Sequence, residues 1–142
     1  MAASDLKTLT DANQAKASNP VVSAWVSANA GTGKTTVLVR RILRLLLRRD
    51  EGGGYTRPET ILCLTYTKAA AAEMENRLFE RLSGWAVASD AALEEDLAKL
   101  CDAAPSKPDM IRARQLFALT LDTKGGLKIH TIHAFCERLL HR

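Results

Sequence analysis

At 142 residues, with 46% hydrophobic and 25% charged side chains, the chain is read as one globular domain large enough to bury a core. Its net charge of +4 suits an anionic partner without requiring one. Cys63, Cys101 and Cys136 are odd in number and widely spaced, which argues against a disulfide framework and for a reducing compartment. No uninterrupted apolar core follows Met1–Asp5, and Arg40, Arg41 and Arg44 break the longest apolar stretch, so neither a leader peptide nor a membrane span is expected. The expected location is the cytoplasm.

In chain order, Asp5–Asn19 reads as a short polar helix and Val21–Ser27 as a first, buried strand. A helix over Lys34–Arg49 places Leu38, Ile42, Leu45 and Leu46 on one face. Asp50-Glu51-Gly52-Gly53-Gly54 ends it, and Pro58 delays the next helix. The run Ile61–Thr65 predicts a strand covered on both faces. Lys68–Ser83 predicts a helix with Ala71, Met74, Leu78 and Leu82 inside and a Glu73/Arg77 pair outside. Helices are expected at Asp90–Cys101, with Leu93, Leu97 and Leu100 along one stripe, and at Pro108–Leu121. Gly125-Gly126 turns the chain into a strand, Leu127–Thr131, and a last helix begins near His133. Strands separated by helices predict an α/β fold with a parallel sheet of the P-loop type.

The residues Ala28-Asn29-Ala30-Gly31-Thr32-Gly33-Lys34-Thr35 fit the phosphate-binding loop [Ala/Gly]-x4-Gly-Lys-[Ser/Thr], between the expected strand and helix. Gly31 and Gly33 let the backbone curl so that successive N–H groups face a phosphate, and the helix N-terminus adds partial positive charge. Lys34 is expected to reach the β- and γ-phosphates, and the Thr35 hydroxyl to be a ligand of Mg²⁺. The ligand class is a nucleoside triphosphate.

Three further segments narrow the reading. The first contains Gln14, whose side-chain donor and acceptor match N7 and N6 of adenine. The second is Thr65-Tyr66-Thr67-Lys68-Ala69-Ala70, at the C-terminal end of the second expected strand, where ligands of open parallel sheets gather. An exposed Tyr between two Thr suits base stacking with phosphate hydrogen bonds. The third is His130-Thr131-Ile132-His133-Ala134-Phe135-Cys136.

In order and spacing these four segments resemble the Q motif and motifs I, Ia and Ib of superfamily 1 DNA helicases of the UvrD/Rep type. Thr65-Tyr66-Thr67 followed by the alanines, and Thr131-Ile132-His133-Ala134-Phe135-Cys136, are similar to the RecB/AddA branch. The resemblance runs from about Leu9 to the last residue and is least diagnostic over 84–122. It implies the N-terminal part of a RecA-like motor domain, with a helical insert at about 84–122. The acidic Walker B strand, the second motor domain and a nuclease domain are then expected elsewhere in a longer protein. It implies ATP with Mg²⁺ as cofactors and DNA, single-stranded or at a duplex end, as partner. It also implies a bacterial cytoplasmic setting, a role in double-strand break repair and recombination, and an AddB-type partner subunit. Carried over residue by residue, Gln14 reads adenine, Lys34 and Thr35 serve catalysis at the phosphates, and Thr65, Tyr66, Thr131, His133 and Phe135 contact DNA. Thr36 stands where many UvrD-like helicases place an adenine-stacking Arg, so that contact is not carried over.

Other groups take plainer readings. His130, His133 and Cys136 straddle a strand-to-helix junction with no second cluster to complete four ligands, so they are not read as a zinc site. Arg40, Arg41, Arg44, Arg48 and Arg49 read as the solvated side of a helix. Cys63 and Cys101 read as core residues. No expected strand ends in Asp-Glu, so the 142 residues alone are expected to bind nucleotide without turning it over. The competing reading is a small P-loop nucleotide-binding module, such as a kinase, in which the Tyr66 and His133 segments have no role.

Overall fold

A computed structural model of the chain describes residues 3–27, 29, 31, 33–124 and 126–141. It divides into two compact units, residues 1–45 and 46–142.

The first unit opens with α1 (Ala3–Ala17) and reaches α2 (Lys34–Leu47), which crosses the boundary between the units. On α2 the buried side chains are Val37, Val39, Ile42, Leu43, Leu46 and Leu47, while Leu38 is 46% exposed. The inner face is therefore rotated from the expected one; Ile42 and Leu46 belong to it and Leu38 does not.

The expected first strand, Val21–Ser27, does not form. Its backbone is irregular, and Val21, Val22 and Trp25 are 70%, 51% and 96% exposed. A strand needs a neighbour's N–H and C=O groups, which apolar composition does not supply. Among the described residues the only sheet pairs two other strands with each other.

Those strands lie in the second unit: β1 (Leu62–Thr65) and β2 (Lys128–Thr131), parallel and in register from Leu62↔Lys128 to Thr65↔Thr131. A parallel pair needs a long crossover. Here it consists of α3 (Lys68–Val87), α4 (Asp90–Cys101) and α5 (Lys107–Asp122); α6 (Ile132–Leu140) follows β2. β1 is not covered on both faces as expected. Leu62 and Leu64 are 43% and 44% exposed, while Cys63 is half-buried and Thr65 buried. The described elements shield only the face carrying Cys63 and Thr65.

The helical core follows the expected periodicity. Met74, Leu78, Leu82 and Trp85 of α3 are buried, as are Leu93, Leu97 and Leu100 of α4 and Ala113 and Leu116 of α5. Phe79 and Phe117 meet edge to face at 6.2 Å. Each fully buried leucine contributes about 1.5–3 kcal/mol of transfer free energy. Outside, Arg77 pairs with Glu73 at 2.6 Å, as the i,i+4 spacing predicts. α3 does not stop at Ser83 as expected but runs on to Val87. Asp96 then accepts from the buried Trp85 Nε1 (2.6 Å) and from Arg81 (2.9 Å), joining α3 to α4.

Side-chain oxygens start four of these helices. Thr67, Ser89, Ser106 and Thr131 accept from the N–H groups of Ala70, Ala92, Asp109 and Ala134, which otherwise lack intrahelical acceptors. α5 has a full capping box, since Asp109 also accepts from the Ser106 N–H. The Asp109 carboxylate further accepts from Tyr55 Oη at 2.9 Å, and the guanidinium groups of Arg49 and Arg112 flank the Tyr55 ring at 4.9 and 5.1 Å. Burial alone would raise the Asp109 carboxyl. Hydrogen bonds from Ser106 and Tyr55 and the charge of Arg49 instead hold it below its ordinary value.

Candidate functional site

In the first unit the loop before α2 bends at glycines. Gly31 and Gly33 have φ of +79° and +85°, the left-handed region that a Cβ disfavours. Lys34 is the first residue of α2; it is exposed, and its Nζ donates to Asn29 O at 2.6 Å. Thr35 is half-buried in the first turn. Ala28, Ala30 and Thr32, also expected in the loop, lie outside the described residues.

α1 brings Gln14 to the same place. A Cβ built on Gly33 would stand 3.1 Å from Gln14 Nε2 and 3.9 Å from its Cδ. A methyl group there would press on the amide and move it by a few tenths of an ångström. Gln14, Thr10, Asn13, Ser27 and Lys34 line a pocket of about 290 Å³ whose apolar wall includes Val26 and Val37. Beside it a second depression of about 440 Å³ is lined by Ser23, Val26, Lys34, Leu38 and Arg41.

The described loop residues fit a polyphosphate. Two left-handed glycines, a helix N-terminus and a lysine supply donors and positive potential, and the Gln14 amide stands beside Gly33 with both a donor and an acceptor.

Two residues at this site escaped the sequence reading. Arg41 and Arg44 are half-buried rather than on a solvated face, and they bind the end of α1. Arg41 Nη1 donates to Ala17 O (3.2 Å) and Asn19 O (2.6 Å), and its Nη2 donates to Val22 O (2.7 Å). Arg44 Nη1 reaches Ala15 O (3.4 Å) and the buried Ser18 Oγ (3.3 Å). The signal available in the sequence was a helix C-terminus needing donors for its last carbonyls, together with cations one turn apart on the next helix.

In the second unit the other expected site residues gather at the C-terminal ends of the paired strands. Thr65 and Thr131 are register partners. Thr65 is buried, and its hydroxyl donates to Thr67 O at 3.1 Å. Tyr66 follows, 84% exposed. The Thr131 hydroxyl accepts from Ala134 N at 3.2 Å and so caps α6. His133 is exposed and Phe135 half-buried in the first turn of α6. His130 on β2 makes a 2.9 Å hydrogen bond through Nε2 with Arg138. Two parallel strands each lead into a threonine-capped helix, with one aromatic ring outward. Burial pushes the Cys63 thiol up, consistent with an unreactive side chain on the covered face.

Among the described residues no three His, Cys, Asp or Glu side chains converge on a common point, and no helix is long and apolar enough to cross a membrane.

Comparison with known proteins gives concordant matches. The UvrD/REP helicase N-terminal domain matches residues 9–142. The chain is 32% identical over 124 residues to the RecBCD enzyme subunit RecB of Escherichia coli (strain K12), covering 82% of the chain and 10% of that protein. It is similar to the AddA subunit of the ATP-dependent helicase/nuclease of Bacillus pumilus (strain SAFR-032), 34% identical over 115 residues, 81% of the chain and 7% of the relative. The counterpart of that protein in Lactobacillus helveticus (strain DPC 4571) is 38% identical over 117 residues, 82% of the chain and 8% of the relative. The chain thus spans a tenth or less of these relatives' length.

Proposed function

The chain belongs to the UvrD/REP helicase N-terminal domain family, and from that premise we propose that it is the nucleotide-binding opening segment of an ATP-dependent DNA helicase subunit that acts in double-strand break repair and recombination. Its likeness to RecB and to the AddA helicase/nuclease proteins supports this reading of the whole protein, including a nuclease domain, a cytoplasmic bacterial setting and an AddB-type partner subunit. On this reading residues 1–142 are the N-terminal part of a RecA-like P-loop motor domain and the helices within 84–122 are its insert.

The observation that carries the nucleotide assignment is the joint placement of Gly31, Gly33, Lys34 and Gln14. The loop amides and Lys34 hold the phosphates, and Gln14 reads the adenine edge. Ala28, Asn29, Ala30 and Thr32 complete the loop. The Thr35 hydroxyl would hold Mg²⁺, which when bound with nucleotide neutralises developing phosphate charge. Thr65, Tyr66, Thr131, His133 and Phe135 are the DNA-facing set: Tyr66 stacks on a base of single-stranded DNA, and the neighbouring amides and hydroxyls hold phosphate. Among the described residues neither strand ends on a carboxylate, so nothing there positions an attacking water, and the chain alone binds without turnover.

Calorimetry with ATP and ADP on the chain and on Lys34→Ala tests this reading. Binding by the parent and none by the variant is expected, because the lysine charge and the amides act on the same phosphates. Equal affinity in both would remove the assignment.

A further inference from the structure

We propose that Arg41, seconded by Arg44, is a positioning residue that sets the Gln14 amide against Gly33 by clamping the C-terminal end of α1 to α2. The inference rests on the nucleotide reading above and deepens it: it names the residues on which base selectivity depends.

The last carbonyls of a helix have no intrahelical donors, so something outside the helix must supply them. Ser18 N donates to Gln14 O at 3.0 Å, Asn19 N to Lys16 O at 3.1 Å and Ser18 Oγ to Ala15 O at 2.9 Å. Arg41 takes Ala17 O and Asn19 O with one nitrogen and Val22 O with the other, and Arg44 takes Ala15 O and Ser18 Oγ. The planar fork binds several acceptors at once, and its charge sits at the negative end of the α1 dipole. Arg41 lies seven residues after Lys34 on one unbroken helix, about 10 Å along its axis. Gln14, one residue before Ala15, thus stands on a helix whose end is anchored to the helix that the phosphate loop begins. Release of the fork would free α1 to shift and carry the Gln14 amide with it, away from its close approach to Gly33. The loop glycines and Lys34 sit outside the clamp, so phosphate affinity does not depend on it.

The test compares the parent chain, Gln14→Ala, and the double variant Arg41→Lys with Arg44→Lys, which keeps both charges but loses both forks. Calorimetry with ATP, GTP and inorganic tripolyphosphate separates base from phosphate affinity; amide exchange without ligand reports on residues 10–19. The expected result is tripolyphosphate binding equal to the parent. The preference for ATP over GTP should fall by roughly two- to tenfold, the worth of one or two hydrogen bonds, to the level of Gln14→Ala. Amides of residues 10–19 should exchange faster while those of α2 do not. An unchanged ATP preference overturns the proposal, as does an equal loss of tripolyphosphate affinity, which would make the arginines supports of the whole loop. A parent that prefers ATP and a Gln14→Ala variant that prefers it equally also overturn it, without touching the phosphate site. A parent that binds none of the three ligands removes the nucleotide reading and this inference with it; the exchange result then identifies the forks as structural bonds only. If the double variant loses its helical circular dichroism, Arg41→Lys alone carries the same comparison.

Discussion

Replacing Gly33 with alanine places a methyl group on a residue whose φ is +85° and sets its Cβ 3.1 Å from Gln14 Nε2. Two costs follow and can be separated. A left-handed backbone costs an ordinary residue about 1–2 kcal/mol. The contact costs little in stability, because the end of a flexible side chain can retreat by a few tenths of an ångström, but the retreat moves the amide. Gly31→Ala is the control: its φ is +79°, and a Cβ there meets nothing within 4 Å. Urea denaturation should therefore show both variants losing about 1–2 kcal/mol. Against a total stability of about 5–15 kcal/mol that loss is readily measured. On the proposed reading both substitutions also disturb phosphate-facing amides, so absolute affinity is a poor discriminator. The ratio of ATP to GTP affinity cancels the phosphate part, and it should drop in Gly33→Ala alone. A Gly33→Ala variant as stable as the parent would refute the backbone argument. An equal drop in the ratio for both glycines would refute the placement of Gln14.

Leu82→Ala removes a fully buried side chain from the C-terminal half of α3 and should cost about 2–5 kcal/mol by chemical denaturation; a loss under about 1 kcal/mol would mean that the packing of α3 is loose. Asp109→Asn tests the junction at the start of α5. The folded carboxyl titrates below its unfolded value, so its stabilisation is complete above about pH 4 and lost as pH falls through the folded value. The stability gap between parent and variant should be flat near neutrality and shrink in acid; a gap that persists unchanged at low pH contradicts the charge-assisted bonding. Tyr66→Ala should change stability by no more than about 0.5 kcal/mol, because the ring is exposed. On the proposed reading, the same substitution in the full-length protein should cost about 1–3 kcal/mol of single-strand affinity, read as weakened DNA stimulation of ATPase activity. Loss of nucleotide binding there would mark the ring as structural.

Helices were readable because their signal is local. Met74, Leu78 and Leu82 recur at helical spacing, and Ser89 and Ser106 stand where an N-cap is needed, so α3, α4 and α5 follow from short windows of sequence. Strand pairing is not local. Val21–Ser27 and Leu62–Thr65 have similar apolar content, yet only the second finds a partner, 66 residues further on. Nor could the run reveal that Leu62 and Leu64 face outward, since coverage depends on which elements lie across the sheet. The glycine-rich loop was legible as a pattern, and Gln14 as a chemical match to adenine. That the two meet at Gly33 required coordinates, as did the bonds of Arg41 to backbone carbonyls 19–24 residues earlier. Backbone acceptors leave no trace in side-chain identity, so periodicity assigned these arginines to solvent.

The two tryptophans of the chain sit in opposite surroundings, one in each unit: Trp25 is 96% exposed and Trp85 is 2% exposed with its indole N–H bonded to Asp96. Their fluorescence should differ accordingly. Trp25 should emit to the red and be quenched freely by acrylamide, whereas Trp85 should emit to the blue and be protected until its helices separate. Unfolding therefore changes the emission of Trp85 and leaves that of Trp25 nearly as it was, so an unlabelled sample reports the helical core of the second unit against a constant background. Quencher-resolved emission during denaturation can follow the separation of α3 from α4 without a label.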